Sequence, residues 1–265
     1  MLFFTGCASG KQVWPEEAPE PAVLEPVPEP EPTLAELAAA LDAEWTAARA
    51  AETAGAADVQ KTLFTAPVTL PAGDRLARKH ETALGSFLAD AERGFLSEHG
   101  IKTDFAFINA ELIRAGLQEG PVTKQDIERV LPFGQKIAVA EMSGAQLLEL
   151  FAFIGTLPQG AGGFAQVSDG VTYTLTFDET GFGAFITDVL VGGEPVEVTR
   201  TYRIALNDFV AAGGNGYSFF LRDDVVKVQT AVNLADGIAD YCLDHADLLY
   251  IEKEERITIQ GGISE

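Results

Sequence analysis

The chain has 265 residues, of which 40 are acidic and 18 are basic, so its net charge is −22 at pH 7. Proteins bind nucleic acids and anionic lipid surfaces through clusters of lysines and arginines, so the excess of acidic residues argues against both as partners. The sequence also contains no apolar run of the roughly 18 residues that a membrane-spanning helix needs.

The first 14 residues combine a short apolar stretch with one of only two cysteines in the chain. Cys7 follows Leu-Phe-Phe-Thr-Gly and precedes Ala-Ser, which is similar to the end of a bacterial lipoprotein signal. A chance apolar start remains the alternative, because the basic segment and the full apolar segment of a signal are missing or shortened. The lipoprotein interpretation predicts an acylated Cys7, a cell-envelope location (periplasmic or surface) and a start site that is misplaced or trimmed. Cys242 then has no disulfide partner and is predicted to be a small buried hydrophobe.

Residues 15–32 contain seven prolines and six glutamates. Such a segment cannot bury enough apolar surface to offset the entropy of ordering, so we expect a disordered, extended linker. It would hold a globular domain away from a membrane, although a solvated tail without any partner fits the composition equally well.

A helix is predicted over residues 33–55. Thr33 and Glu36 form a T-x-x-E capping box, and Leu34, Leu37 and Leu41 recur at helical spacing. We expect this helix to dock onto a globular domain that spans residues 59–262.

Helices and strands alternate irregularly through that domain, which predicts an α+β fold with a mixed sheet and packed helices and not a doubly wound sheet. The predicted elements are a strand over Val59–Leu70, a helix from Thr82, a strand over Phe105–Ile108, a short helix from Thr123 to Pro132, a strand over Ile137–Met142, a helix capped by Ser143, strands over Val171–Phe177, Phe185–Val191 and Tyr202–Phe209, a helix over Val232–Leu243 and a strand over Arg256–Ile259.

The segment Asn207–Tyr217 reads N-D-F-V-A-A-G-G-N-G-Y. Glycines at 213, 214 and 216 allow positive φ angles and a close approach of the backbone to another group. Phe209, predicted at the end of a strand, would then face a planar ligand above the loop. A tight turn with a core phenylalanine is the simpler alternative.

Four further segments accompany this one in a fixed order. They are Glu81–Gly85 (E-T-A-L-G), Asn109–Arg114 (N-A-E-L-I-R), Leu131–Gln135 (L-P-F-G-Q) and Gly162–Ser168 (G-G-F-A-Q-V-S). Together the five segments resemble the C-terminal, substrate-recognition domain of the bacterial 5′-nucleotidase / UDP-sugar hydrolase family, over about residues 59–262.

The resemblance implies a site for a nucleoside or nucleotide. It places the nucleobase between Phe133 and Phe209, where stacking on each ring contributes roughly 1–3 kcal/mol. Gln135 stands where the family has asparagine, and its longer amide would shift the preference among bases. A core position for either phenylalanine is the alternative.

The resemblance also implies a polar side of this site, near the ribose and phosphate. Arg78 and Arg114 match family arginines, whose guanidinium groups suit phosphates or diols, and Arg75 is a looser match. Asn109 and the Gly163 turn are retained. For Arg75 and Arg78, simple surface charge is an equal alternative.

Two departures from the family pattern affect specificity. The glycine pair of N-G-G is Ala110-Glu111 here, and the aspartate of G-G-D-G-Y is Asn215. A glutamate close to a phosphate would repel it unless Arg114 neutralises it. We therefore expect a pocket with changed specificity, favouring nucleoside over nucleotide.

Hydrolysis in the family uses a two-metal centre in a separate N-terminal domain, built from D-x-H, G-D…N-H-[DE] and G-H-x-H segments. The three histidines of this chain, His80, His99 and His245, have none of these spacings. The sequence therefore predicts no catalytic residue, metal site or cofactor in this chain, and no phosphoester hydrolysis by it alone.

Three functions remain in order of preference. The first is a lipid-anchored nucleoside- or nucleotide-binding module for uptake or sensing, with a transporter as a possible partner. The second is the substrate-recognition half of a split nucleotidase, with a separate metallophosphoesterase chain. The third is a degenerate domain that serves structural contacts, in which the pocket has been lost.

Overall fold

A computed structural model describes residues 31–53, 61–180, 184–245 and 255–262. Cys7, the segment 1–14 and nearly all of the Pro/Glu segment 15–32 lie outside the described residues. Lipidation and the extended linker therefore stay predictions.

The described helices and strands interleave along the chain. The helices are α1 (Leu34–Thr53), α2 (Ala83–Glu98), α3 (Lys124–Val130), α4 (Gly144–Ile154), α5 (Asp208–Ala211) and α6 (Leu234–Asp244). The strands are β1 (Thr62–Ala66), β2 (Phe105–Asn109), β3 (Gly120–Thr123), β4 (Lys136–Ser143), β5 (Ala165–Val167), β6 (Val171–Phe177), β7 (Ala184–Val191), β8 (Glu194–Pro195), β9 (Thr201–Asn207), β10 (Val226–Asn233) and β11 (Ile257–Gly261). Among the helices described, none is long and apolar enough to span a bilayer.

The main sheet has five strands in the order β10-β4-β9-β2-β5, with β2 and β9 parallel and the other neighbours antiparallel. A second sheet has the order β11-β6-β7-β8, with β11 parallel to β6. Strands β1 and β3 form an antiparallel pair. The prediction of an α+β fold with a mixed sheet is confirmed.

Side-chain caps fix the helix starts that the sequence predicts. The Thr82 hydroxyl accepts a hydrogen bond from the Gly85 amide at the start of α2. Thr123 and Asp126 form a capping box on α3, and Ser143 and Gln146 form another on α4. These local hydrogen bonds satisfy amides that a helix leaves free at its N-terminus, so they can be recognised without knowledge of the fold.

The first helix packs on the domain along one face. Leu34 and Leu41 are buried, and the ring of Trp45 meets that of Phe95 edge-on at a centroid distance of 5.5 Å. The Asp42 carboxylate accepts a 2.6 Å hydrogen bond from the Ala231 amide of β10. Helix α1 therefore docks as predicted, against the outermost strand of the main sheet.

Two predicted strands differ from the structure. The strand predicted over 59–70 is limited to β1 among the described residues, and Leu70 forms only an isolated bridge with Leu117. The strand predicted to reach Phe209 ends at Asn207, because the Asn207 side chain accepts a hydrogen bond from the Val210 amide and starts α5. Phe209 thus lies in a short helix and not at a strand end.

Four strands were not predicted: β3, β5, β8 and β10. Three of them have two to four residues, too short for a period-two pattern. Strand β10 includes Val232 and Asn233, which the prediction gave to a helix; α6 begins instead at Leu234, after a cap by the Asn233 side chain.

The core encloses two unusual side chains. Cys242 is fully buried and, among the described residues, a free thiol; burial raises the pKa of this thiol to about 12, which confirms the prediction of a small buried hydrophobe. Glu92 of α2 buries both carboxylate oxygens without a hydrogen-bond partner in the described structure. Burial raises the pKa of Glu92 well above its usual 4.5, because an ionised carboxylate would be desolvated without compensation.

We predict that Glu92→Gln stabilises the protein at neutral pH. Because the pKa of Glu92 is raised in the folded protein, its contribution to the free energy of unfolding is largest below the unfolded pKa, near 4.5. Above it, the unfolded chain releases the proton, and stability falls by about 1.4 kcal/mol per pH unit until the folded pKa is reached. The advantage of the variant should therefore grow as pH rises from 4.5.

Urea unfolding between pH 4.5 and 7.5 measures this difference. Glu44→Gln, an exposed position of α1, serves as the matched control. A difference between Glu92→Gln and wild type that does not change with pH would contradict the prediction.

Candidate functional site

The glycine-rich loop after β9 uses its glycines in two ways. Gly213, Asn215 and Gly216 have φ angles of 89°, 52° and 85°, a region that glycine and, to a lesser extent, asparagine tolerate. At Gly214 a Cβ atom would lie 2.4 Å from the ring of Phe209. The Phe209 ring therefore rests on the Gly214 backbone, the close approach that the glycine cluster predicts.

Three asparagines connect this loop to the main sheet. Strands β2 and β9 are parallel neighbours, so their last residues, Asn109 and Asn207, lie at the same edge. The buried Asn109 accepts a 2.9 Å hydrogen bond from the Asn207 amide group and donates one to the Asn215 side-chain oxygen. The side chains of Asn109 and Asn215, both predicted site residues, are thus in direct contact.

The Gly162–Gly163 turn closes over the same loop. The Tyr217 hydroxyl donates a 2.7 Å hydrogen bond to the Gly163 carbonyl, and the Glu111 amide donates to the Gly162 carbonyl at 2.8 Å. A Cβ atom on Gly163 would lie 3.1 Å from the Asn215 carbonyl oxygen. Three of the five sequence segments therefore meet at one place.

Arginines line a cavity of about 270 Å³ next to this junction. Arg75, Arg78 and Arg114 line it together with Ala72, Ala77, Ala110 and Ile113. Arg75 is a non-glycine residue with a φ of 60°, so its backbone adopts the unfavoured left-handed region. The structure therefore groups all three predicted arginines.

Glu111 bridges two of these arginines. Its Oε2 lies 2.7 Å from Nη2 of Arg78, and its Oε1 lies 2.9 Å from Nη1 of Arg114. The sequence suggested neutralisation by Arg114; the second contact, with Arg78, was not predicted because the two arginines are 36 positions apart.

Both predicted stacking rings are exposed. Phe133 is 51% exposed and Phe209 is 41% exposed, so neither is the core phenylalanine of the alternative interpretation. The Arg114 guanidinium lies over the Phe133 ring, 5.5 Å from its centroid. Gln135 is partly buried, and its backbone carbonyl accepts a 2.8 Å hydrogen bond from the Leu234 amide.

Gln166 was not among the predicted site residues, yet it joins two of the five segments. Its Nε2 donates to the carbonyls of Ala77 and His80, and its Oε1 accepts from the Thr82 amide. A Cβ atom on Gly85 would lie 2.2 Å from that oxygen. Its position inside the G-G-F-A-Q-V-S segment is the sequence feature that could have identified it. Gln166 thereby fixes the turn that carries Arg78.

A larger cavity of about 440 Å³ lies beside α2 and α6, and none of the predicted site residues lines it. Asp90 in its wall makes two hydrogen bonds, of 2.9 and 2.7 Å, to the buried Arg256. Arg93 pairs with Asp169. We take the smaller cavity as the functional candidate, because the three predicted arginines line it and one of them, Arg114, also lies over the exposed Phe133 ring.

The histidines contact ordinary protein groups. The His80 carbonyl accepts from Gln166, the His99 ring bonds to the Phe95 carbonyl, and the His245 ring pairs with Glu98. In the part of the chain that the structure describes, no cluster of three or more His, Cys, Asp or Glu side chains could hold a metal ion. The described residues therefore do not fit a two-metal centre, which the resemblance places in a separate domain.

Comparison with known proteins identifies the family. Residues 61–222 match the family described as 5′-nucleotidase, C-terminal domain, and the chain belongs to this family. It is 31% identical over 170 residues to a 5′-nucleotidase of Vibrio cholerae, a match that covers 64% of this chain and 28% of that protein. A cell wall protein of Listeria monocytogenes is 31% identical over 154 residues, covering 55% of this chain and 19% of that protein.

A solved structure agrees with these matches. The crystal structure of a 5′-nucleotidase precursor from Thermus thermophilus superposes with a TM-score of 0.66 at 28% identity, over 82% of this chain and 43% of that one. The chain thus matches less than half the length of each of these three relatives. The predicted resemblance is confirmed for the C-terminal domain.

We predict that Asn109→Ala destabilises the fold by about 1–3 kcal/mol, because it leaves the buried Asn207 amide group without its acceptor. Urea unfolding measures the loss. Gln118→Ala, at an exposed position, is the control and should stay within about 0.5 kcal/mol of wild type. Equal stabilities of the two variants would show that the asparagine contacts do not hold the loop.

Proposed function

We propose that this chain binds a nucleoside or nucleotide, with the base between Phe133 and Phe209 and the sugar toward Asn109, Asn215 and the arginines. The observation that carries the proposal is the position of Arg114. Its guanidinium lies over the Phe133 ring and also lines the arginine cavity. An aromatic surface and a polar cavity are therefore adjacent, as a ligand made of a base and a sugar requires.

The exposure of the two rings supports stacking as the source of affinity. An exposed phenylalanine has apolar area to bury, and its face accepts any nucleobase. Base selectivity would then come from hydrogen bonds at the base edge. We assign that role to the Gln135 amide, which lies two residues from Phe133 and can both donate and accept.

The sugar would be held by the partly exposed Asn215, which the buried Asn109 positions through a side-chain hydrogen bond. The Asn215 side chain is held by the hydrogen bond that its oxygen accepts from the Asn109 amide group, and its backbone has a positive φ of 52°. Rigid amides can donate to and accept from the hydroxyls of a ribose with little loss of entropy on binding. Because Gly163 has no side chain, its turn can lie close to the Asn215 backbone.

A second candidate function follows from the coverage of the relatives. The chain corresponds to 28% of the Vibrio cholerae 5′-nucleotidase and 43% of the Thermus protein. Substrate recognition for a metallophosphoesterase, on another chain or another part of a longer one, would give the same pocket a role in nucleotide hydrolysis. A purely structural role is the third candidate, and the exposed rings count against it.

We also propose a cell-envelope location, through a lipid on Cys7. The support is the Leu-Phe-Phe-Thr-Gly-Cys sequence and the cell wall protein among the relatives. In this setting a transporter could receive the bound nucleoside. Labelling of cells with a fatty-acid analogue tests it: label on wild type that Cys7→Ser removes supports the anchor, and unlabelled wild type excludes it.

We predict that Phe209→Ala weakens adenosine binding by roughly 5- to 100-fold, as expected for the loss of one stacking surface. Isothermal titration calorimetry on the full chain measures the dissociation constant. The matched control is Phe185→Ala, which removes an equally large ring that is 60% exposed on β7. Equal effects of the two substitutions would contradict the proposed stacking site.

A further inference from the structure

We infer that Glu111 is a built-in counter-ion that makes the arginine cavity prefer the neutral hydroxyls of a nucleoside over the phosphate of a 5′-nucleotide. This inference rests on the proposed function. It goes beyond it by naming the residue that sets the ligand class.

The Glu111 carboxylate occupies the place where two guanidinium groups converge. Each of its oxygens binds a different arginine, at 2.7 Å for Arg78 and 2.9 Å for Arg114. The Arg78 side chain is only 15% exposed, so the ion pair between Arg78 and Glu111 is partly shielded from solvent. Charge-assisted contacts of this kind are the ones that an incoming phosphate would itself need.

The fold makes room for this carboxylate. A Cβ atom on Gly162 would lie 2.3 Å from Oε2 of Glu111, so the carboxylate in its bridging position occupies space that a side chain at residue 162 would contest. The Glu111 backbone is held there too, since its amide donates to the Gly162 carbonyl at 2.8 Å. Gly162 therefore contributes in two ways: its carbonyl holds the Glu111 backbone, and its lack of a side chain leaves space for the Glu111 carboxylate.

The charge balance explains the preference. A phosphate that approaches Arg78 and Arg114 either repels the Glu111 carboxylate or displaces it and loses both existing ion pairs. A ribose hydroxyl has no charge, and it can donate to the carboxylate while it accepts from a guanidinium. Arg75, which is exposed and lines the same cavity, adds a third positive charge. Discrimination thus comes from a repulsive carboxylate bound to two arginines of the site.

The test is titration of the full chain with adenosine and with AMP, on wild type and on Glu111→Gln. Glutamine keeps the shape and one acceptor oxygen but removes the charge. We expect wild type to bind adenosine at least as tightly as AMP. Glu111→Gln should tighten AMP binding by roughly 10-fold or more, with little change for adenosine.

Two further variants complete the design. Glu141→Gln is the matched control, because Glu141 is a similarly exposed glutamate that pairs with an arginine, Arg203, at 2.8 Å elsewhere in the main sheet. It should leave the AMP-to-adenosine ratio unchanged. Gly162→Ala places a methyl group in the space of the carboxylate and should shift the ratio in the same direction as Glu111→Gln, so the test holds even if one of them misfolds.

The outcomes separate this inference from the proposed function. The counter-ion role is wrong if folded wild type binds AMP more tightly than adenosine, or if the AMP-to-adenosine ratio stays the same in the Glu111 and Gly162 variants. If Phe209→Ala still weakens adenosine binding in that case, the nucleoside site stands. If folded wild type binds neither ligand, the proposed function fails and this inference fails with it.

Discussion

The arrangement of the candidate site depends on the buried amide of Asn109. Because β2 and β9 run parallel side by side, their carboxyl ends deliver Asn109 and Asn207 to one edge of the sheet. Asn109 uses both ends of its amide, one toward Asn207 and one toward Asn215. A buried amide that loses a partner is costly, so the loop that carries Phe209 against Gly214 has one strongly preferred position.

The fold was predictable where the signal is local. Thr82, Thr123 and Ser143 each cap a helix through hydrogen bonds within three residues, and the sequence alone reveals such caps. Strand β10 lies at the sheet margin, where burial alternates weakly, and it was missed. The helix that contains Phe209 was also missed, although Asn207 in front of it is a typical N-cap residue, because the apolar run continued the pattern of the preceding strand.

The grouping of the arginines was predictable from the sequence, but the contacts among the side chains were not. The motif resemblance named Phe133, Phe209, Arg78, Arg114 and Asn215, and the structure gathers the arginines on one cavity. The ion pair between Glu111 and Arg78 joins residues 33 positions apart. Gly162, which leaves space for the Glu111 carboxylate, lies a further 51 positions along the chain. Contacts of this range depend on tertiary geometry, which short-range patterns do not encode.

Because of the position of α1, the segment that matches the family is shorter than the compact folded unit. The family match begins at residue 61. Before that point, the Asp42 carboxylate of α1 accepts a hydrogen bond from the Ala231 backbone amide of β10. A protein cut at the family boundary would present that strand as an open edge, a surface on which strands of other molecules readily add. Helix α1 thus covers part of this outermost strand, and the compact unit begins at Thr33.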